Sequence, residues 1–162
     1  DYLSAAVAEL YIGLISGTSA DGIDAALVDF DPAPRIVAAR TDPFPAEFRV
    51  ELLQFMEGSY RGDPIDQLLE LDRTLGEQFA AAAELLLAGA GIEARAVRAI
   101  GSHGQTLRHR PPHSTLQVAD PNLLITAPGI HPSIQQLLSQ THHFVHALVV
   151  KDSLRQLAIP GL

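Results

Sequence analysis

A long amphipathic helix that precedes a strand-like segment is the feature that most constrains the fold of this chain. Asp63 and Pro64 open a stretch that runs to about Ala88, with Gly89 or Gly91 to end it. Aspartate is a favoured N-cap and proline a favoured first helical residue. Apolar residues recur three and four positions apart and mark one face: Ile65, Leu68, Leu69, Leu75, Phe79, Ala82 and Leu86. The pattern predicts one long helix that packs this face against a core.

Short strands are predicted on both sides of this helix. The apolar runs Tyr11–Ser16 and Ile23–Phe30 and the run Arg35–Arg40 are separated by turn residues, which favours an antiparallel meander. Ala96–Ser102 returns to a strand-like run after the helix, the crossover pattern of an α/β domain. Other predicted elements are a helix over Pro45–Glu57 closed by Gly58, a rigid loop over Arg110–His113, a strand over Ser114–Val118 and a helix over Leu123–Ile125 capped by Asp120.

Composition excludes several classes of function. Eleven Lys and Arg against 19 Asp and Glu give a formal charge of −8, with no basic cluster to bind nucleic acid or an anionic membrane. The absence of cysteine removes disulfides, thiolate nucleophiles and cysteine-bound metals. No apolar stretch is long enough to span a bilayer, and Asp1–Leu10 carries acid where a signal peptide carries base. We therefore expect a cytoplasmic protein.

The loop between the first two predicted strands has the composition of a phosphate-binding segment. It reads Gly17-Thr-Ser-Ala-Asp-Gly22 and offers backbone N–H groups, two hydroxyls and one carboxylate. Such a loop can wrap phosphate oxygens, and Asp21 can hold Mg²⁺ directly or through water. The alternative is a glycine-rich hairpin whose polar side chains satisfy only the turn backbone.

A second polar cluster, His103-Gly-Gln-Thr106, follows the predicted strand after the long helix. In open α/β sheets ligands bind at the carboxyl ends of strands, and these donors and acceptors suit a hydroxylated, amide-bearing substrate such as an amino sugar. The alternative is a polar strand end in which His103 is structural.

Three blocks in this order resemble the N-terminal part of the anhydro-N-acetylmuramic acid kinase family. They are Ile12–Asp24, Ile100–Thr106 with His109 and Pro111, and Thr115–Leu123. The resemblance covers roughly Tyr11 to Ile125. It implies one lobe of an actin-like, hexokinase-like (ribonuclease H-like) ATPase, an α/β fold with a mixed sheet and flanking helices. It also implies ATP and Mg²⁺ as cofactors and a step of peptidoglycan recycling within amino-sugar catabolism. In that step water opens 1,6-anhydro-N-acetylmuramic acid and O6 receives the γ-phosphoryl group, giving N-acetylmuramic acid 6-phosphate.

The resemblance also assigns roles to individual residues. The cofactor-binding segment is Gly17, Thr18, Ser19, Ala20, Asp21, Gly22, Ile23 and Asp24, with Asp21 at the metal. The substrate-side residues are His103, Gln105, Thr106 and Asp120. Ala119 departs from the family, which usually has glycine there. A homodimer is a further implication.

The family continues with an Asp-Phe-Arg-Arg-Arg-Asp segment and a second lobe that this sequence lacks. The second aspartate of that segment is the family's general base, so no catalytic residue is assigned here. We expect residues 1–126 to form the N-terminal lobe and residues 127–162 to be a divergent tail. The first hypothesis is the kinase, represented by its first lobe. The second is a truncated, catalytically inactive fragment with at most residual ligand binding. Another actin-like phosphotransferase is a third, and the His103–Thr106 cluster argues against it.

The tail carries one further pattern, His142 and His146 four residues apart. Two imidazoles on one helical face can bind a metal, but no glutamate stands between them as in zinc proteases. A tail without a metal site explains them better.

Overall fold

A computed structural model describes residues 9–120 and 122–123 of the chain. The elements are, in chain order, β1 Leu10–Ser16, β2 Gly22–Asp29, β3 Arg35–Pro43, α1 Ala46–Glu57, α2 Pro64–Ala90, a 3-10 turn at Ala94–Ala96, β4 Val97–Arg110 and β5 Ser114–Val118. Several predicted features lie outside the described residues. They are the tail 127–162 with its histidine pair, the helix over Leu123–Ile125 beyond its first residue, and the acidic start before Glu9.

The five strands form one mixed sheet in the order β3-β2-β1-β4-β5. β1, β2 and β3 form the expected antiparallel meander, and β4 pairs with β1 in parallel. A parallel neighbour requires a crossover, and α1 and α2 supply it. The arrangement confirms an α/β fold with a mixed sheet and flanking helices, as expected for an actin-like ATPase lobe.

α2 begins at its predicted cap, and both helices end at glycines that the sequence predicted. The carboxylate of Asp63 accepts hydrogen bonds from the backbone N–H groups of Ile65 and Asp66, at 2.8 and 3.3 Å, and Pro64 takes the first helical position. Gly58 ends α1 with φ of 92°, and Gly91 ends α2 with φ of 65°. Glycine is favoured at such left-handed positions because it has no Cβ.

The core lies between the sheet and α2. It contains apolar side chains of β1, β2 and β4 packed against Leu75, Phe79, Ala82 and Leu86 of the helix. Within residues 9–120 and 122–123, no helix is both long and apolar enough to cross a membrane.

Two sequence predictions are wrong in detail. Ile65 and Leu69 are 66% and 62% exposed, although the pattern placed them on the packed face. Both residues lie in the first two turns of α2, where the described part of the chain leaves them uncovered, whereas Leu75 and Phe79 further along are fully buried. The second correction concerns β4, which does not end at Ser102 but continues through His103–Thr106 to Arg110. It continues because β5 pairs with this stretch and satisfies its backbone groups.

Candidate functional site

The β1–β2 loop, Gly17–Asp21, is the most exposed part of the candidate site. The residues Gly17, Thr18, Ser19 and Asp21 are exposed, whereas Ala20 is buried and adopts a left-handed φ of 51°. The Ala20 N–H donates to the Gly17 carbonyl at 3.1 Å, which closes a tight turn. The turn thus presents the hydroxyls of Thr18 and Ser19 on a surface with little side-chain bulk.

The two glycines of this segment differ in whether the fold requires glycine at their positions. A Cβ at Gly22 would lie 2.4 Å from the Asp42 carbonyl oxygen, so the close approach of β3 requires glycine there. A Cβ at Gly17 would meet only the Ser19 hydroxyl oxygen, at an ordinary 3.6 Å, and the φ of Gly17 lies outside the left-handed region. The described fold therefore does not require glycine at position 17, because a methyl group would fit there without a clash.

The last two residues of the predicted cofactor segment belong to β2. Ile23 is 1% exposed and its side chain lies in the core, so its backbone alone is available to a ligand. Asp24 is exposed, and its carboxylate accepts a hydrogen bond from the Thr41 hydroxyl of β3 at 2.6 Å.

Arg49 of α1 supports the loop from one side. Its guanidinium donates to the carbonyl of Ala20 at 3.0 Å, to the carbonyl of Ser19 at 3.2 Å and to the carboxylate of Asp21 at 2.6 Å. A hydrogen bond from the Ser19 hydroxyl and the charge of Arg49 lower the pKa of Asp21, against an opposing effect of desolvation. Asp21 is therefore a carboxylate at neutral pH. Sequence reasoning missed Arg49, because no spacing pattern links a helical arginine to a loop 28 residues earlier.

The His103–Thr106 cluster divides between two environments. Gln105 is fully buried and contacts Ser16 and Gly17 at the start of the loop. His103 and Thr106 are half-buried and meet Gln117 of β5, whose amide nitrogen lies 3.0 Å from His103 Nε2 and 3.5 Å from Thr106 Oγ1. Because side chains alternate along a strand, Thr106 lies on the face of the sheet opposite Gln105.

Asp120 follows β5 and is held close to α2. The carboxylate of Asp72 accepts from the Ala119 N–H at 2.8 Å, and the Asp72 carbonyl accepts from the Asp120 N–H at 3.2 Å. The Asp120 carboxylate accepts from the Asn122 N–H at 2.9 Å, consistent with a cap. Gly76 makes this approach possible, since a Cβ there would lie 2.9 Å from the Asp120 carbonyl oxygen.

The geometry gives a loop suited to phosphate beside a strand that carries polar side chains on both faces. The loop, Arg49 and Gln105 are in direct contact, whereas His103 with Thr106 and Asp120 with Asp72 form separate clusters. Within the described residues, no group of three or more His, Cys, Asp or Glu side chains is placed to hold a metal ion.

Comparisons with known proteins show the family of this chain. The family model described as anhydro-N-acetylmuramic acid kinase matches residues 9–137. A protein of that name from Shewanella amazonensis is 45% identical over 125 residues, covering 75% of this chain and 33% of that protein. Those from Shewanella baltica (strain OS223) and Shewanella sediminis are 47% and 48% identical over 124 and 126 residues, with 74% and 75% of this chain and 33% of each protein covered. The chain thus spans about a third of the length of these curated relatives. It belongs to the anhydro-N-acetylmuramic acid kinase family.

Proposed function

We propose that this chain supplies the phosphate-binding loop and sugar-side segments of an ATP-dependent kinase of anhydro-N-acetylmuramic acid. The observation that carries the proposal is the exposed loop Gly17–Asp21, which Arg49 supports from one side and in which a Cβ at Gly17 would meet only the Ser19 hydroxyl. The names of the relatives support the choice of substrate.

The loop fits the phosphates of ATP. Gly17, Thr18 and Ser19 offer backbone N–H groups, two hydroxyls and no bulky side chain, and the guanidinium of Arg49 adds positive charge nearby. Asp21 fits Mg²⁺, which is commonly bound through one or two carboxylates together with substrate phosphates. When bound, magnesium ATP supplies the phosphoryl group, and the metal offsets the charge of the phosphates. The carboxylate of Asp21 is ionised and 70% exposed, as such a ligand requires.

On the sugar side we propose His103, Thr106 and Asp120 as the groups that bind the hydroxyl and amide groups of the substrate. Water adds to the anomeric carbon of the 1,6-anhydro sugar, and the bond from that carbon to O6 breaks. O6 then takes the γ-phosphoryl group, and the products are N-acetylmuramic acid 6-phosphate and ADP. A base must lie within hydrogen-bond distance of the attacking water. We place that base in the part of the family sequence that these residues do not match.

The second candidate is that these 162 residues alone bind ligand without turnover. The chain spans about a third of the length of these relatives, which favours this candidate. A cytoplasmic location, where ATP is available, and a homodimer are further predictions.

The test compares the 162-residue chain with a protein of the relatives' full length that contains it. Each is incubated with magnesium ATP and 1,6-anhydro-N-acetylmuramic acid in ¹⁸O-water, and mass spectrometry detects the 6-phosphate. We expect product with one ¹⁸O at the anomeric carbon from the longer protein and none from the short chain. Product from the short chain would contradict the placement of the base, and no product from either would contradict the kinase proposal.

A matched pair of variants tests the loop. Gly17→Ala adds a methyl group that the described fold accommodates, so we expect unchanged stability and a rise of about tenfold in the KM for ATP. Gly89→Ala is the control, because Gly89 lies on α2 and a Cβ there would meet nothing within 4 Å. An unchanged KM for ATP in Gly17→Ala would show that phosphate does not approach this position.

A further inference from the structure

The side chain of Gln105 has no exposed surface, and all its polar atoms are used within the protein. Its Oε1 accepts from the Ser16 hydroxyl at 2.6 Å, and its Nε2 donates to the Gly17 carbonyl at 3.1 Å and to the Thr106 carbonyl at 3.2 Å. Ser16 is itself 2% exposed. A sugar therefore has no access to Gln105, although the sequence placed it among the substrate-side residues.

The local backbone directs Gln105 to this position. Gly104 has a left-handed φ of 65°, and a Cβ on it would lie 2.3 Å from the Val118 carbonyl oxygen. The pairing of β1 with β4 shifts register between Leu14 and Ser16, so that Gln105 lies opposite Ser16. Glycine at 104 thus permits an irregularity that turns the next side chain toward the β1–β2 loop.

We propose that Gln105 is a positioning residue that fixes the Gly17 carbonyl and thereby the shape of the phosphate-binding loop. Both ends of a carboxamide are needed, because one end accepts from Ser16 while the other donates to Gly17. A glutamate of the same shape has no N–H to donate when ionised. The contact joins the loop to β4, the strand that also carries His103 and Thr106. The kinetic part of this inference rests on the proposed function.

Hydrogen exchange of the 162-residue chain tests the inference without any ligand. Gln105→Glu and the uncharged Gln105→Met both remove the donor to Gly17. We expect at least tenfold faster exchange of the Ala20 N–H, the buried loop amide that donates to the Gly17 carbonyl, with a peptide from Leu75–Leu87 of α2 unchanged. Ser16→Ala is the matched control, since it removes the partner of Oε1 but leaves the Gly17 contact, and its effect on the loop should be smaller. Unchanged loop exchange in both Gln105 variants would overturn the proposal. So would equally faster exchange in α2, which would make Gln105 a general stability residue.

Kinetics of the longer protein separate positioning from substrate binding. For Gln105→Met we expect the KM for ATP to rise at least tenfold, with kcat within threefold and the KM for the sugar unchanged. A rise confined to the KM for the sugar would show that Gln105 binds substrate and would refute the inference. If the unsubstituted protein makes no sugar phosphate, the proposed function fails, whereas the exchange experiment still decides the role of Gln105.

Discussion

Gly76→Ala is the substitution whose outcome depends most directly on the contact between α2 and the segment that carries Asp120. Gly76 lies in the interior of α2, where alanine is normally the better helix former. Here the added Cβ would lie 2.9 Å from the carbonyl oxygen and 3.1 Å from the nitrogen of Asp120. Both are backbone atoms, so no side-chain rotation relieves the overlap. We expect Ala119 and Asp120 to be pushed away from the helix.

The expected loss of stability follows from the hydrogen bonds that this displacement breaks. Two hydrogen bonds to Asp72, from the N–H groups of Ala119 and Asp120, hold the segment at 2.8 and 3.2 Å. Their loss costs about 2–3 kcal/mol, since one of the acceptors is a carboxylate. The helix propensity of alanine returns about 1 kcal/mol. The net destabilisation is therefore about 1–2 kcal/mol.

Gly89→Ala is the matched control on the same helix, because a Cβ at this position meets nothing within 4 Å. It should gain about 0.5–1 kcal/mol of stability from propensity alone. The free energies of unfolding of the two variants should thus differ by about 1.5–3 kcal/mol in urea unfolding followed by far-UV circular dichroism, with similar m-values. In a thermal scan the difference corresponds to roughly 5–10 °C for a domain of this size. If Gly76→Ala is as stable as Gly89→Ala, the close approach of Asp120 to α2 is wrong.

Three further substitutions test other parts of the structure. Ala119 has a φ of 119°, so Ala119→Gly relieves backbone strain of about 1–2 kcal/mol. The greater entropy of glycine in the unfolded state costs roughly 0.5–1 kcal/mol, so the variant should be at least as stable as the unsubstituted protein. A lower urea midpoint would contradict this. The N–H of Asp31 is the main cause that lowers the pKa of buried Asp29. A depressed pKa gives stability that is lost as the pH falls below about 4. In Asp29→Asn the urea midpoint should therefore fall less between about pH 5 and pH 2 than in the unsubstituted protein. An equally large fall would contradict this role of Asp29. Arg49→Gln removes the cation beside the loop, so calorimetry of the longer protein should show roughly tenfold weaker ATP binding with sugar binding unchanged; equal ATP affinity would exclude a role for this charge.

The sequence predicted those parts of the fold whose signals are local. The caps Asp63 and Gly58 act on groups two to four residues away, and the turn residues after Ser16 separate two apolar runs, so both helices and the meander could be placed. The end of β4 was misplaced because its last residues are polar. Their backbone groups pair with β5, and the residue pattern of β4 alone does not show that partner. The exposure of Ile65 was missed because helical periodicity gives a direction around the helix and not the extent of the sheet below it.

In the candidate site, too, the sequence predicted the local features and missed the contacts between distant residues. The loop Gly17–Asp21 was recognised by composition, and the structure shows it as an exposed turn. The contacts of Arg49 and Asp72 span 28 and 47 residues of sequence, and no local pattern announces them. Gln105 was selected for its chemistry, but the backbone conformation of Gly104 decides which face it occupies.

The parallel pairing of β1 with β4 also has a consequence for the order of folding. The antiparallel contacts of β1, β2 and β3 join residues close in sequence, whereas Ser16 and Gln105 are 89 residues apart. Contacts of long sequence separation carry a larger loop-closure cost and form late in folding. During synthesis the three strands of the meander are translated before β4. The loop between β1 and β2 therefore acquires its Gln105 contact in the same step that pairs β4 with β1, so we expect the loop to take its final shape only when the sheet is complete.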